Sequence, residues 1–158
     1  MRIGFGYDVH KFAKSRKFIL GGVEIKHTKG LQGHSDADVL LHAICDSLLG
    51  AAGLNDIGHY FPNTDVKWKN ISSLILLEEC CKMLKKKKLK IGIIDCTILL
   101  EEPKIKPYID KMKENICKVL KIKKEQIAIK STTSEGMGFI GKKEGCAAYS
   151  ICLLEDRK

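Results

Sequence analysis

Residues 91–100 read IGIIDCTILL, a run of apolar and β-branched residues that is typical of a buried strand. Pro107 follows it and opens a predicted helix to about Leu120, because proline is favoured in the first turn of a helix. Residues 126–131 and 146–154 are again strand-like and close the chain. This half of the sequence therefore predicts a strand, a helix and two strands.

The N-terminal part predicts a strand followed by a hairpin. Residues 2–9 (RIGFGYDV) have strand character. Residues 18–20 and 23–25 flank the pair Gly21-Gly22, a spacing that favours a two-residue hairpin turn.

Two helices are expected between these halves. Residues 37–51 (ADVLLHAICDSLLGA) carry apolar residues at the 3–4 spacing of a helix, and Ser35 or Asp36 can cap its start. Residues 71–87 form a second helix that runs into a lysine cluster. We therefore expect an α+β fold, a ferredoxin-like-type sandwich of a mostly antiparallel sheet with helices on one face, plus an N-terminal hairpin.

The length of 158 residues and the hydrophobic content of 44% fit a single catalytic domain, residues 1–158. No stretch approaches the roughly 20 apolar residues that span a bilayer, so a membrane partner is not expected. The net charge of +9 raises a nucleic-acid partner. However, residues 82–90 and 111–124 each hold six lysines, a pattern more typical of solvated helix faces, and we expect no nucleic-acid partner.

The seven cysteines are odd in number and include no Cys-x-x-Cys pair. They are expected to be small buried hydrophobes in a reducing compartment and not a disulfide framework or a thiolate zinc site. Strand-like sequence follows Met1 directly, so no targeting segment is expected in this chain.

A candidate metal site starts from Asp8 and His10, two residues apart on a predicted strand and hence on one face of it. Taken alone, they could be a surface pair. His42 in the helix supplies a third ligand, and three ligands of mixed nitrogen and oxygen type with an open fourth position are typical of catalytic zinc. His34 just precedes the helix. Asp38, four residues before His42, could orient its ring or serve as a first-turn acid favoured by the helix dipole.

Two loops could bind phosphate. Residues 55–65 (NDIGHYFPNTD) could supply Asp56 and backbone amides to a ligand, or be a packed loop. Residues 131–145 (STTSEGMGFIGKKEG) combine glycines with four hydroxyls that can donate to phosphate oxygens, although such loops usually have no ligand. Glu135 there is a hard oxygen ligand suited to magnesium.

Five segments, in this order, resemble the 2-C-methyl-D-erythritol 2,4-cyclodiphosphate synthase family: IGFGYDVHKF, LQGHSDADVLLHAICDSLLGA, DIGHYFPNTD, EEPKIKPYI and KSTTSEGMGFIGKKEG. The resemblance extends from about Arg2 to Leu154. It implies a phosphorus–oxygen lyase of non-mevalonate isoprenoid biosynthesis. The implied reaction converts 4-diphosphocytidyl-2-C-methyl-D-erythritol 2-phosphate to the 2,4-cyclodiphosphate and CMP by metal-assisted intramolecular phosphoryl transfer.

The resemblance also implies a homotrimer with active sites at the subunit interfaces. It assigns one Zn²⁺ per subunit to Asp8, His10 and His42, and a Mg²⁺ or Mn²⁺ on the substrate diphosphate to Glu135. His34 and Thr133 are implied to act on the transition state. The implied substrate-binding residues are Ser35, Asp56, Ile57, Gly58, Phe61, Pro62, Asn63, Thr64, Asp65, Leu100, Pro103, Lys104, Lys106, Thr132, Ser134, Phe139 and Lys142.

The sequence departs from the family pattern at three places. Asn63 stands where the family loop usually has Asp, Lys142 stands where it often has Arg, and Glu101-Glu102 make the cytosine segment unusually acidic. The Lys142 change puts in doubt a central-channel site for isoprenoid diphosphates, because lysine lacks the fork of arginine.

Two other functions are considered beside the lyase. A basic nucleic-acid-binding module would account for the charge but leave the metal-site residues unused. A metal-dependent phosphohydrolase would use the same zinc to activate water. The resemblance implies either the bacterial cytoplasm or a plastid-type stroma, where a transit peptide would be absent from this chain.

Overall fold

The computed structural model describes residues 1–157; the predicted domain also includes Lys158, which lies outside the described residues. The strands are β1 (Arg2–Ala13), β2 (Phe18–Leu20), β3 (Val23–Ile25), β4 (Gly30–Leu31), β5 (Leu89–Leu99), β6 (Ile127–Thr132) and β7 (Gly145–Asp156). The α-helices are α1 (Val39–Ala51), α2 (Ile57–Tyr60), α3 (Ser73–Lys86), α4 (Ile109–Leu120) and α5 (Gly138–Gly141). Short 3₁₀ turns cover Val66–Trp68, Lys106–Tyr108 and Lys124–Gln126.

A five-stranded sheet in the order β4-β1-β7-β5-β6 forms the centre of the fold. β1 pairs antiparallel with β4 and β7, β5 pairs antiparallel with β7, and β6 pairs parallel with β5. The hairpin β2-β3 is a separate two-stranded sheet around Gly21 and Gly22, both of which have positive φ. The predicted α+β class, the mostly antiparallel sheet and the hairpin are confirmed.

The order of strands and helices differs from the predicted ferredoxin-like one. A ferredoxin-like sandwich has the order β-α-β-β-α-β, with its two consecutive strands in the middle. Here the long elements run β1, α1, α3, β5, α4, β6, β7, so the consecutive strands come last. They do not pair with each other, because the chain returns from the edge strand β6 to the centre of the sheet, where β7 lies between β1 and β5.

α1 packs unusually closely on β1, and two glycines allow this. A Cβ atom at Gly4 would lie 1.9 Å from the Ser47 carbonyl oxygen, and one at Gly6 would lie 2.0 Å from that of Ala43. The alternation of the strand places Asp8 and His10 on this same helix-facing side. The close approach therefore positions the residues of α1 directly over them.

The opposite face of the sheet is apolar and exposed. Phe5 is 61% exposed, Ile151 lies opposite it in the β1-β7 ladder, and the next pair is Tyr7 and Tyr149 with ring centroids 4.9 Å apart. The exposed side chains of this face are Ile3, Phe5, Tyr7, Val9, Ile93, Tyr149 and Ile151. Helices thus cover one face only, as predicted.

The predicted start of the first helix is wrong by two residues. Ala37 has φ 58°, which no helix accommodates, and Asp38 is the N-cap, accepting a hydrogen bond from the Leu41 N–H at 3.1 Å. Ser35 and Asp36, the predicted caps, have other partners. Pro107 also lies in a 3₁₀ turn and not in α4, which begins at Ile109.

The lysines of residues 85–88 are all exposed, as expected for a solvated helix end. All seven cysteines are free and buried, as predicted. Within residues 1–157, no helix has the length and apolar character needed to cross a membrane.

Candidate metal centre and substrate clefts

Three predicted ligands meet where β1 faces α1. Asp8 Oδ2 lies 2.9 Å from His10 Nε2 and 2.9 Å from His42 Nδ1, and the two ring nitrogens are 3.1 Å apart. His42 is 7% exposed, whereas Asp8 and His10 are half-buried at the mouth of a cleft. The structure therefore brings together the three residues that the sequence predicts for zinc.

These residues fit a zinc ion. Two donor atoms at the usual zinc distances in a tetrahedral site lie about 3.3 Å apart, close to the spacing seen here. One carboxylate oxygen and two imidazole nitrogens converge, and separations a few tenths of an ångström larger would match tetrahedral zinc. Three protein donors leave a fourth position for a substrate oxygen, the arrangement of a catalytic site.

The ring of His10 is fixed by its other nitrogen. His10 Nδ1 donates to the Gln32 carbonyl oxygen at 2.6 Å, so Nε2 is the nitrogen that faces Asp8 and that becomes available to a cation when it loses its proton. Burial by itself would lower the pKa of His10, but Asp8 and the Gln32 carbonyl outweigh it and raise that pKa. Burial would raise the pKa of Asp8, yet hydrogen bonds and charge from both histidines lower it to about 2. Asp8 is thus anionic at neutral pH, as a metal ligand requires.

His42 is held by two buried hydroxyls on its other side. Its Nε2 lies 3.0 Å from Ser73 Oγ and 3.2 Å from Ser35 Oγ. Ser73 opens α3 and is fully buried, and Asp36 accepts hydrogen bonds from both the Oγ and the backbone N–H of Ser73. Ser73 could not be predicted from the sequence, because its contact with His42 depends on how α3 packs against α1.

Asp38 does not orient His42, which corrects one of the two predicted roles. Its carboxylate accepts from the Leu41 N–H within α1 and from the Gly22 N–H in the hairpin turn, at 2.7 Å. It is fully buried, and burial together with the charge of Asp36 raises its pKa to about 7. Asp38 is therefore a structural link between the β2-β3 hairpin and α1.

The metal triad lines a cleft of about 480 Å³. Its other predicted members are His34, Ser35, Ile57, Gly58, Phe61, Pro62, Asn63 and Thr64. His34 Nε2 lies 3.3 Å from the Asp65 carbonyl oxygen, which ties it to the 55–65 loop. Trp68 also lines this cleft and packs edge-on against Phe61, with ring centroids 5.0 Å apart. Trp68 was not among the predicted site residues, although it is the single tryptophan of the chain and lies close in sequence to the aromatic pair Tyr60-Phe61.

A second cleft of about 210 Å³ lies elsewhere on the chain. The predicted residues that line it are Leu100, Pro103, Lys104, Lys106, Thr132 and Thr133. It has no residue in common with the metal cleft. The predicted site residues therefore fall into two groups on a single chain.

The acidic pair Glu101-Glu102 joins the second cleft to the 131–145 loop. Glu101 Oε1 accepts from the backbone N–H of Ser134 at 2.8 Å and from its Oγ at 3.0 Å. Glu102 pairs with Lys143 at 2.8 Å. These two contacts give the departure from the family pattern a local structural role.

The remaining predicted residues lie in neither cleft lining. Asp56 and Asp65 cap the short helical segments that follow them, accepting from His59 N–H and Lys67 N–H. Ser134, Glu135, Phe139 and Lys142 lie in or beside the loop after β6; Phe139 and Lys142 are exposed. Glu135 is bonded to the Thr133 hydroxyl at 3.0 Å and stands apart from the metal triad.

Comparisons with known proteins identify the family of the chain. The sequence profile of the YgbB family matches residues 1–155. A protein of Clostridium acetobutylicum named 2-C-methyl-D-erythritol 2,4-cyclodiphosphate synthase is 60% identical over 154 residues, covering 98% of this chain and 99% of that protein. One of the same name from Clostridium botulinum is 57% identical over 155 residues, covering 98% of this chain and all of that protein.

Solved structures give the same result. The bifunctional IspDF of Campylobacter jejuni superposes with a TM-score of 0.93 at 42% identity, covering 97% of this chain, which spans 42% of that protein's length. The CDP complex of IspF from Plasmodium falciparum superposes with a TM-score of 0.87 at 36% identity, covering 99% of this chain and 97% of that one. The chain therefore belongs to the YgbB family, that of the 2-C-methyl-D-erythritol 2,4-cyclodiphosphate synthases.

Proposed function

We propose that this chain converts 4-diphosphocytidyl-2-C-methyl-D-erythritol 2-phosphate to 2-C-methyl-D-erythritol 2,4-cyclodiphosphate and CMP. The observation that carries the proposal is the convergence of Asp8, His10 and His42 at the mouth of a cleft whose other wall is the 57–64 segment. The names of the relatives, at 57–60% identity over nearly the whole chain, support the same reaction.

The reaction needs no nucleophilic side chain, because the substrate's own 2-phosphate attacks the β-phosphorus and CMP leaves. The task of the protein is to fold a flexible substrate so that its two ends meet, and to balance the phosphate charge. The buried thiols cannot compete as nucleophiles; burial raises the pKa of Cys96 to about 12, for example. This combination favours phosphoryl transfer within the substrate over covalent catalysis.

We assign the triad to Zn²⁺, one per subunit, and Glu135 to a Mg²⁺ or Mn²⁺ on the diphosphate. When bound, such cations polarise phosphoryl oxygens as Lewis acids and neutralise their charge. His34 lines the metal cleft, and its Nε2 lies 3.3 Å from the Asp65 carbonyl oxygen. We assign its ring the role of a donor to a phosphoryl oxygen in this cleft. The hydroxyl of Thr133, on the side of the second cleft, donates to Glu135. We assign it the same role once Glu135 binds a cation, because the hydroxyl proton is then free to turn to a phosphoryl oxygen.

The second cleft is assigned to the cytidine portion. Its lining is apolar at Leu100 and Pro103 and cationic at Lys104 and Lys106, which suits a base attached to a diphosphate. Two solved relatives, the IspF of Plasmodium falciparum and another 2-C-methyl-D-erythritol 2,4-cyclodiphosphate synthase, are CDP complexes. The remaining substrate assignments, including Ser35 and the 56–65 loop, concern the methylerythritol phosphate and the ribose.

Neither cleft alone contains the whole set of residues, and this favours a site shared between chains. We assign the exposed apolar face of the sheet, around Phe5, Tyr7, Tyr149 and Ile151, to the contacts between three copies of this chain. In such a homotrimer the metal cleft of one subunit faces the second cleft of its neighbour. The bacterial source of the relatives favours the bacterial cytoplasm over a plastid stroma.

The decisive experiment incubates the chain with zinc, magnesium and the cytidine substrate and follows the phosphorus NMR spectrum. We expect CMP and the cyclic diphosphate to appear together in equal amounts. A linear hydrolysed product would instead establish the phosphohydrolase alternative. Binding of RNA or DNA that weakens steeply with salt, without turnover, would establish the nucleic-acid module.

A further inference from the structure

We propose that Ser73 and Asp36 are positioning residues that fix the ring of His42 as a metal ligand through a directed chain of hydrogen bonds. The inference rests on the proposed metal centre and goes beyond it, because neither residue touches the triad's shared cation position. It gives Ser73, the first residue of α3, a part in orienting the metal ligand His42 of α1.

The direction of the chain follows from the donors and acceptors. His42 Nδ1 faces Asp8 and His10, so the lone pair of Nδ1 is the one available to a cation. Nε2 must then carry the ring proton and donate it. Its nearest acceptor is Ser73 Oγ at 3.0 Å.

Ser73 can accept this bond only because its own proton is directed elsewhere. Its Oγ donates to Asp36 Oδ1, and its backbone N–H donates to Asp36 Oδ2 at 3.0 Å. The two bonds hold the carboxylate in one orientation against a fully buried serine. A ligating histidine whose other N–H is held by a carboxylate, directly or through a hydroxyl, is fixed in tautomer and ring plane and becomes a stronger ligand.

Ser35 is a lesser partner. Its Oγ is farther from Nε2, at 3.2 Å, and it already accepts the backbone N–H of Ala37 at 3.2 Å. It has no carboxylate behind it; its other contact is with Ser73 Oγ at 3.4 Å. Ser73 with Asp36 is therefore the pair that sets the ring.

The first test measures zinc affinity by competition with a chromophoric chelator. We expect Ser73→Ala and Asp36→Asn each to weaken binding about 10- to 100-fold, the usual effect of losing such a partner. The matched control is Ser72→Ala, which removes the neighbouring hydroxyl that caps α3 at Leu74 N–H but has no bond to His42. Zinc affinities of Ser73→Ala and Asp36→Asn equal to that of Ser72→Ala would overturn the inference.

The second test uses the unaltered chain, so it does not depend on a variant that folds. In the zinc-loaded protein, nitrogen-15 NMR of the imidazoles should show His42 with metal on Nδ1 and a proton on Nε2. Metal on Nε2 would overturn the inference while leaving the metal centre intact. A wild-type chain that binds no zinc would overturn the metal centre itself and this inference with it.

Discussion

The Nε2 atom of His10 and the Nδ1 atom of His42 lie 3.1 Å apart, although 32 residues separate them in the chain. Two ring nitrogens at this distance repel each other unless a proton or a cation lies between them, and both also face one oxygen of Asp8. Each ring is held from behind, His10 by the Gln32 carbonyl and His42 by Ser73. Hydrogen bonds to groups outside the trio therefore fix the orientation of both rings.

Removing one of these rings should abolish stoichiometric zinc binding. We expect His42→Ala to bind well below one zinc per subunit by elemental analysis, because two donors remain where three converged. The control is His59→Ala, since His59 is exposed and packs on Tyr60 away from the triad. Full zinc content in His42→Ala would refute the metal assignment.

The sequence predicted those features that depend on local pattern. The Gly21-Gly22 pair predicted the hairpin, because only glycine adopts two successive positive φ values easily. The two-residue spacing of Asp8 and His10 predicted a shared face, and His42 completed the set. The hairpin and the shared face follow from turn chemistry and periodicity, whereas the assignment of zinc to all three residues came from the family resemblance.

What could not be predicted depends on tertiary contact. Asp38 has the same sequence spacing to His42 as an orienting carboxylate would, yet it caps α1 and reaches the hairpin turn at Gly22. Ser73 is one serine in a pair, and only the packing of α3 on α1 distinguishes it from Ser72. The separation of the two clefts on one chain is likewise a property of the sheet order, which no motif spacing contains.

A site shared between subunits predicts complementation between two inactive variants. His42→Ala disables the metal cleft and Thr133→Val the second cleft. The two variants, co-expressed and purified together, should form mixed trimers. In an equal mixture, about a quarter of the interfaces combine an unaltered metal cleft with an unaltered second cleft. Activity should therefore recover to about a quarter of the wild-type value. His42→Ala mixed with Asp8→Asn, both in the metal cleft, should recover none.

Failure of the first mixture to recover activity would contradict the shared site. Sedimentation provides an independent measurement, because the assembly should have three times the 17.7 kDa mass of one chain. A fully active monomer would be incompatible with a site shared between subunits.

The lack of a side chain at Gly6 should be essential for the close packing of α1 on β1. A methyl group there would lie 2.0 Å from the Ala43 carbonyl oxygen, so Gly6→Ala must push α1 away. We expect a loss of about 1–3 kcal/mol in the free energy of unfolding, together with weaker zinc binding, because His42 adjoins Ala43. The control is Gly50→Ala in the same helix, where a Cβ meets nothing within 4 Å. An unfolding midpoint of Gly6→Ala equal to that of Gly50→Ala would contradict the close-packing argument.

Asp38 should make the stability of the fold depend on pH. Its pKa is raised from 3.8 to about 7 in the folded chain by burial and by Asp36. The folded state therefore holds the proton more tightly than the unfolded state, so the stability that Asp38 contributes is fully present below about pH 4 and is lost as the pH rises to about 7. Over this pH range, the contribution of Asp38 to the free energy of unfolding falls by about 4 kcal/mol.

The matched variant is Asp38→Asn, which keeps an N-cap oxygen and cannot ionise. The difference in unfolding free energy between the two proteins, measured by denaturant titration, isolates this group from other titrations. The wild type should lose stability relative to Asp38→Asn as the pH rises from 4 to 7. A constant difference would mean that Asp38 is ionised throughout.

Thr133 and Asp56 should differ in the kinetic step that they affect. Thr133 is proposed to donate to the transferring phosphoryl group, so Thr133→Val, of similar volume, removes a donor that acts in the transition state. We expect kcat and kcat/KM to fall together by on the order of 10²-fold. Zinc content should stay at one per subunit, because Thr133 does not line the metal cleft.

Asp56→Asn keeps the cap on α2 and loses only the charge, so it should raise KM at least as much as it lowers kcat. The assay is CMP release together with phosphorus NMR of the cyclic product, and turnover of Thr133→Val at the parent rate would reduce Thr133 to a loop residue.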